Sequence, residues 1–356
     1  MLEPLTLRLQ SWLRHNGVVT APPPARVGVF LGGRDLRVAR VLAGGGGRPR
    51  LEFVEVIPCD PAGRSAALRR AAQAGVFRFA AVHLVLAPGS YETHLMPAPA
   101  VPDDELRDAV RFQLRGALAY PIEQAVVDSV RIPQPAGGGG RAMLLVVSAR
   151  AGIVLEAARA FEQAGVDLDT VDVPEFAQRN LGALYVAAEG THAWLSVDGD
   201  ACLLTVQLGD ELAFARHFQL PSVQAPSAPS EIVDLDAEAA QPGWHERIAN
   251  QVLRSLDLFE RQSGLPPVLQ LTIAPHPQGA SIARALAELT GIQADVFDPA
   301  SAFELMPVLD SGTRTRAECL ASCIPALGAA LRSDAPVRAE STLRPKQAVR
   351  AEAQPA

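Results

Sequence analysis

The chain has 356 residues, enough for two domains or one large two-lobed unit at about 100–200 residues per domain. Hydrophobic residues make up 48% and charged residues 20% of the chain, a balance that supports a sizeable core and excludes collagen-like and wholly disordered proteins. The net charge of −7 argues against a nucleic-acid partner, and the single lysine, Lys346, excludes a lysine-dependent phosphate loop in the folded part.

The first predicted element is a short amphipathic helix at residues 2–15, whose apolar stripe consists of Leu2, Leu5, Leu9, Trp12 and Leu13. Charges interrupt this segment, and no apolar run along the chain reaches the roughly 18 residues that a bilayer span needs. We therefore expect a cytoplasmic protein. Residues 1–16, followed by a proline-rich linker at 17–25, are expected to make a peripheral contact with a membrane surface. Docking on a partner or on the chain's own first domain are the alternatives.

The same order of strands and helices occurs twice along the chain. The first copy is predicted as three strands, a helix and a further strand, at 26–32, 36–42, 51–57, 64–75 and 82–87. The second copy repeats this order about 166 residues later, at 193–197, 202–208, 212–218, 245–262 and 268–274, and ends with a helix, a strand and a helix at 280–290, 294–297 and 316–331. Such a duplication predicts an α/β fold with two lobes that face each other across a cleft.

A small α+β module is predicted between the two copies. Its helix opens at Pro102-Asp103 and ends at Tyr120-Pro121, and the elements after it are expected at 126–132, 142–149, 152–164 and 170–174. The expected domains are the first lobe at 26–90, the insertion module at 91–178, the second lobe at 179–332 with an acidic loop at 222–243, and a disordered tail at 333–356.

Four stretches of sequence resemble blocks of one family in the same order: VPDDELRDAVRFQLRGALAYPIEQAVVDSV (101–130), LLVVSARAGIVLEAARAFEQAGVDLDTVDVPEFAQRNL (144–181), IANQVLRSLDLFERQSG (248–264) and ALGAALR (326–332). The chain resembles the PilM type of the actin-like ATPase superfamily, a cytoplasmic component of type IV pilus machinery. Within that type it is similar to MshI of mannose-sensitive haemagglutinin (MSHA) pilus systems. The resemblance covers about residues 26–332 and implies a duplicated actin-like (RNase H-like) two-lobed fold with an α+β insertion.

The resemblance also implies a nucleotide site between the lobes, because glycine turns let backbone N–H groups approach phosphates closely. The matching positions in this sequence are Gly32, Gly33, Ser196, Asp198, Gly199, Asp200 and Gly279. Phe30 stands where the family pattern has an acid near the metal, and Pro275 and Pro277 stiffen the turn on the adenosine side. We therefore expect no catalytic residues, no metal ligands and no resident cofactor, with weak binding of ATP and Mg²⁺ as the alternative.

The expected function is a non-enzymatic assembly platform of a pilus complex. The resemblance implies that it binds the cytoplasmic tail of a bitopic inner-membrane pilus protein, with the assembly ATPase as a possible second partner. In PilM-type proteins that tail lies beside the inserted module, so the candidate contact residues here are Leu106, Val110, Tyr120 and Pro121. The alternatives are an ATP-binding switch in the same position, the cytoplasmic part of the type II secretion protein GspL, and a sugar kinase of the same superfamily.

Overall fold

The computed structural model describes residues 25–42, 48–135, 141–184, 190–220, 243–305 and 319–332. The expected helix at 2–15, the linker before residue 25, the acidic loop up to residue 242 and the tail at 333–356 lie outside the described residues.

Six strands form the sheet of the first lobe, in the order β14-β3-β2-β1-β4-β8. Their bounds are β1 (Ala25–Leu31), β2 (Asp35–Leu42), β3 (Arg50–Pro58), β4 (Ala80–Val85), β8 (Thr170–Asp172) and β14 (Glu304–Leu305). β1, β2 and β3, the three predicted strands of the first copy, pair antiparallel, whereas β4 pairs parallel with β1. Alternate residues of β1, Val27, Val29 and Leu31, face a core that includes helices α1 (Arg64–Gln73) and α3 (Ala151–Ala164).

The second lobe contains a five-stranded sheet in the order β11-β10-β9-β12-β13. Its strands are β9 (Thr191–Asp198), β10 (Ala201–Leu208), β11 (Glu211–Gln219), β12 (Gln270–Ile273) and β13 (Gln293–Val296). Helices α5 (Trp244–Ser263) and α6 (Gly279–Thr290) pack against it, and the short helix α7 (Pro299–Ala302) follows β13 along the chain. Ile248, Val252 and Phe259 recur at helical spacing on one face of α5, and all three are fully buried in this core.

Three antiparallel strands form the insertion module, in the order β5-β7-β6. They are β5 (Tyr91–Pro97), β6 (Ala125–Arg131) and β7 (Met143–Arg150), and helix α2 (Leu106–Leu114) packs on them through a small core of its own. β5 was not predicted, because this edge strand is largely exposed and combines polar residues such as Glu92 and His94 with few apolar ones.

Several elements lie in the first lobe although their sequence position suggested another domain. β8 joins the sheet of the first lobe, and Phe161 of α3 is buried in its core. The module's sheet therefore ends at Arg150, and the expected range 91–178 is longer than the module. β14 and helix α8 (Ile324–Ala330) also contact the first lobe, so the range 179–332 does not form one lobe. The apolar pattern of a strand predicts which of its residues are buried, but it does not predict which sheet the strand joins.

Two glycines allow α8 to pack closely between the lobes. A Cβ atom at Gly28 of β1 would lie 1.8 Å from the carbonyl oxygen of Ala326. A Cβ atom at Gly328 would lie 2.0 Å from the carbonyl oxygen of Ala177, on helix α4 (Pro174–Gly182). α4 in turn reaches the second lobe, where Nε2 of buried Gln178 donates to the carbonyl of Trp194 at 2.8 Å. The packing of α8 and α4 therefore sets the relative position of the two lobes.

A buried polar cluster joins the module to the second lobe. The Glu175 carboxylate of α4 is fully buried and accepts hydrogen bonds from the Tyr91 hydroxyl at 2.7 Å and from Nε2 of His217 at 2.9 Å. Tyr91 begins β5 and His217 lies on β11. Burial and the neighbouring Glu175 charge raise the pKa of Tyr91, so its hydroxyl stays a donor.

Candidate functional site

An ion pair joins the two hairpin turns that the sequence marks as candidate phosphate loops. Nη1 of Arg37, on β2 of the first lobe, lies 3.0 Å from Oδ2 of Asp198, at the end of β9 in the second lobe. The Arg37 side chain is 13% exposed and the Asp198 side chain 72% exposed. Asp198, an acidic residue at the second turn, is thus paired with an arginine of the opposite lobe.

Further contacts hold Arg37 in this cleft. Its Nε lies 3.1 Å from Oδ1 of Asp35, and its Nη1 donates to the carbonyl of Ser322 at 3.0 Å. Its guanidinium carbon lies 5.2 Å from the ring centroid of Phe30, a cation–π contact. Burial alone would lower the pKa of Arg37, but the hydrogen bond to Asp35 and the charge of Asp198 raise it overall. Phe30, at the position where the resemblance implies an acid, thus contacts the charged guanidinium of Arg37 and does not serve as a metal ligand.

The first turn is packed by its own side chains. A Cβ atom at Gly32 would lie 2.0 Å from Oδ1 of Asp35, so this glycine makes room for the carboxylate that holds Arg37. The Gly32 carbonyl accepts a hydrogen bond from Nη2 of Arg64 at 2.8 Å. Gly33 has open space beside it. The glycine at 32 is explained by these contacts within the protein.

The second turn is a two-residue hairpin loop in which Gly199 has φ +63°, a conformation that favours glycine. Asp200 is exposed, and its carbonyl accepts a hydrogen bond from the Leu220 N–H at 2.8 Å. The Ser196 hydroxyl donates to Oε1 of Gln178 at 2.6 Å. Among these predicted residues, Asp198 contacts the opposite lobe, whereas Ser196 bonds to α4.

An aromatic pair occupies the turn that the resemblance assigns to adenosine. The His276 ring stacks on Trp244 with centroids 5.4 Å apart and an interplanar angle of 23°. Burial lowers the pKa of His276, and the charge of Asp198 partly opposes this. Gly279 begins α6, and a Cβ atom there would lie 3.0 Å from the Val296 side chain. This glycine allows the helix to approach β13.

A surface groove of about 600 Å³ lies where the insertion module meets the first lobe. It is lined by Glu123, Gln124, Arg150, Ala151, Gly152, Ile153 and Glu156. The Arg150 guanidinium carbon lies 4.2 Å from the ring centroid of Tyr120, which fixes the cation at the groove. Helix α3 starts here without a side-chain cap, so the N–H groups of its first turn can serve a ligand.

The residues predicted to contact a partner lie mainly inside the module. Val110 is 1% exposed and Tyr120 is 7% exposed, both in the module's core, and Leu106 is half-buried against it. Val110 and Tyr120 therefore cannot form the outer contact surface of the folded module, whereas Pro121 is exposed. Tyr120 acts on the groove through Arg150. Sequence reasoning missed Arg150, although a basic residue directly before an uncapped helix is a visible signal.

The described residues offer neither a cluster of metal ligands nor a membrane-spanning helix. There, no three His, Cys, Asp or Glu side chains come together in a way that could hold a metal ion. No helix in that part of the chain has the length and apolar character needed to cross a bilayer.

No family model and no curated protein sequence matches the chain. Among solved structures, the PilM–PilN type IV pilus biogenesis complex is similar with a TM-score of 0.66 and 19% identity, over 87% of this chain and 99% of that one. The cytoplasmic domain of EpsL, an inner-membrane component of the Vibrio cholerae type II secretion system, gives 0.44 and 10% identity over 84% and 94%. An actin-like ATPase fold protein of unknown function from Bacteroides thetaiotaomicron gives 0.44 and 9% over 85% and 96%. The predicted two-lobed actin-like fold is confirmed.

Proposed function

We propose that the chain is an assembly protein of a type IV pilus machinery of the MSHA kind. In this role it binds the cytoplasmic segment of a bitopic inner-membrane protein and does not hydrolyse ATP. The observation that carries the proposal is the fold likeness to PilM over 99% of a chain solved in a pilus complex with PilN. The MSHA subtype rests on the sequence resemblance to MshI.

The groove beside the module is the proposed contact site for that segment. The first-turn N–H groups of α3 can donate to peptide carbonyls or to an acidic side chain, and Arg150 adds a fixed positive charge. Glu123 and Glu156 offer acceptors for a basic side chain or an amino terminus. The groove therefore suits an extended peptide with charges of both signs.

The contents of the cleft support the absence of hydrolysis. Phosphoryl transfer depends on a metal ion at the phosphates and on a group that orients the attacking water. Phe30 offers no ligand at the first position, and Asp198 at the second is paired with Arg37. In the family, charged groups of the cleft face a nucleotide. Here the charge of Asp198 is paired with Arg37 of the protein itself.

Calorimetry of the full chain with a synthetic peptide of the cytoplasmic segment of a bitopic pilus protein from the same organism tests partner binding. We expect Arg150→Glu to weaken binding about tenfold, because the variant reverses the fixed charge at the groove. Arg159→Glu is the matched control, since Arg159 is an exposed arginine of the same helix that does not line the groove. No heat at high micromolar concentration, or equal losses in both variants, would contradict the proposed site.

Phosphate release from MgATP tests the catalytic part separately. We expect the purified chain to release phosphate at the rate of the protein-free background. Release well above that background, abolished by Asp198→Ala, would show that the cleft is an active ATPase site and overturn this part of the proposal.

The proposed position of the chain is peripheral, at the cytoplasmic face of the inner membrane. Residues 1–16 carry the apolar stripe of the expected helix, and residues 1–90 contain twelve arginines against five acidic residues. An amphipathic helix with basic surroundings binds anionic lipid weakly and reversibly.

A further inference from the structure

Two of the four cysteines of the chain lie one helical turn apart, directly before α8. The Cys323 N–H donates to the Cys319 carbonyl at 3.0 Å, and Cα atoms at this helical spacing lie about 6 Å apart. The two side chains also hydrogen-bond to each other, thiol to thiol. Disulfides join residues whose Cα atoms are about 4.4–6.8 Å apart, so this pair has the spacing that a disulfide needs.

The two thiols differ in their access to solvent. Cys323 is fully buried, and its Sγ donates to the carbonyl of Glu55 on β3 at 3.5 Å, whereas Cys319 is half-buried. The hydrogen bond to Cys319, together with burial, raises the pKa of Cys323, and the nearby charge of Arg37 opposes this rise. An accessible thiol that reacts first, beside a protected thiol that reacts second, is the arrangement of redox-active cysteine pairs.

The backbone at Cys323 lies between two helical segments. Residues 319–322 are helical, and Cys323 precedes α8 with φ −88° and ψ 6°. Its N–H also bonds to the Leu320 carbonyl at 3.1 Å, and Pro325 in the first turn of α8 has no N–H group to donate. A covalent link between the two sulfurs therefore acts at a junction of helical segments and not inside α8.

This junction also contacts the arginine that bridges the two lobes. Nη1 of Arg37 donates to the carbonyl of Ser322 at 3.0 Å, and the same Nη1 lies 3.0 Å from Oδ2 of Asp198 in the second lobe. Ser322 lies inside the five-residue loop that a disulfide between Cys319 and Cys323 would close. The cysteine pair is therefore located beside the interlobe cleft.

We propose that Cys319 and Cys323 are a redox-active dithiol that a small-molecule disulfide, such as oxidised glutathione, converts into an intramolecular disulfide. Cys319 loses its proton and its sulfur attacks one sulfur of the oxidant, and the first glutathione leaves as it takes up that proton. The sulfur of Cys323 then attacks the sulfur of Cys319, and the proton of Cys323 passes to the second departing glutathione. Two protein thiols are thus oxidised to one disulfide, and one oxidised glutathione is reduced to two glutathione thiols.

Peptide mass spectrometry of the full chain after incubation with oxidised glutathione tests the proposal. The remaining thiols are alkylated, and trypsin then releases residues 317–332 as one peptide with both cysteines, because it cuts after Arg316 and Arg332. We expect this peptide to lose two hydrogen atoms and to escape alkylation, and dithiothreitol should reverse both changes. In Cys323→Ser the glutathione adduct should persist on Cys319, because the second thiol is absent.

Cys319→Ser tests the order of the two steps. We expect modification of Cys323 in this variant to be at least about tenfold slower than disulfide formation in the wild type, because a buried thiol in apolar surroundings is inert. Cys202 is the matched control within the same digest: it is 2% exposed and burial raises its pKa, but β10 contains no other cysteine. It should keep its thiol.

Three results would overturn the proposal. The first is a wild-type peptide 317–332 that keeps both thiols at millimolar oxidised glutathione. The second is modification of Cys202 at the rate of the pair, which would show that the chain opens as a whole. The third is Cys323 modified in Cys319→Ser as fast as the disulfide forms in the wild type, which would show that Cys319 does not react first. The wild-type digest is decisive by itself should either serine variant fail to fold.

Discussion

Removing the ion pair between Arg37 and Asp198 measures how strongly the two lobes are held together across the cleft. The perturbation is a double-mutant cycle with Arg37→Met, Asp198→Asn and the double variant. Methionine keeps much of the aliphatic volume of Arg37, and asparagine keeps the shape of Asp198. The coupling free energy from such a cycle isolates the pair from the other contacts of each residue.

The expected magnitude follows from the geometry of the pair. The two side chains lie 3.0 Å apart, but Asp198 is 72% exposed, so water and salt screen the charge. We expect a coupling of about 0.2–1 kcal/mol in the free energy of unfolding. Arg37→Met alone should cost more, about 2–3 kcal/mol, because it also removes hydrogen bonds to Asp35 and Ser322 and the contact with Phe30.

Urea unfolding at low salt and at 1 M salt provides the assay. The coupling should nearly vanish at 1 M salt, where the screening length is about 3 Å. A control cycle on Arg40 and Glu52, also 3.0 Å apart but both in the first lobe, measures a pair that does not cross the cleft. A coupling of zero between Arg37 and Asp198 at low salt would refute the bridge. MgATP binding that Arg37→Met abolishes would instead make Arg37 a phosphate ligand.

Two further predictions concern packing and pH. Gly28→Ala should lower the free energy of unfolding by about 3 kcal/mol, because its Cβ would lie 1.8 Å from the Ala326 carbonyl oxygen and force α8 away from β1. The control is Gly33→Ala, where the new Cβ has open space. This variant should change the free energy of unfolding by less than about 0.5 kcal/mol in the same urea assay. Burial lowers the pKa of His192, whose Nε2 also hydrogen-bonds to the Thr272 hydroxyl group. As the pH falls, the unfolded chain therefore binds a proton at this histidine before the folded chain does. The free energy of unfolding should thus fall as the pH drops below about 6.5. Melting temperatures at about pH 7.5 and 5.5 should differ less in His192→Gln than in the wild type, and an unchanged difference would contradict this assignment.

The periodicity of apolar residues in the sequence was sufficient to predict most of the individual helices and strands. The strands β1 to β3 and the helix α5 carry apolar residues at periods of two and 3.6, and the structure places those elements within a few residues of the predicted ranges. Edge strand β5 was not predicted, because an exposed strand does not need alternating apolar residues. The turns of the cleft could be predicted from their glycines, and Phe30 could be identified as the residue at the position where the resemblance implies an acid.

The sequence by itself determined the duplicated α/β organisation, since each copy must bury its own apolar faces. Tertiary structure alone decided that β14 and α8 return to the first lobe, because pairing between strands far apart in sequence leaves no local signature. It also decided that Arg37 contacts Asp198, 161 positions away. The position of a charged residue in the sequence does not show which residue it pairs with. Only the packing of α4 and α8 brings Arg37 and Asp198 within hydrogen-bonding distance.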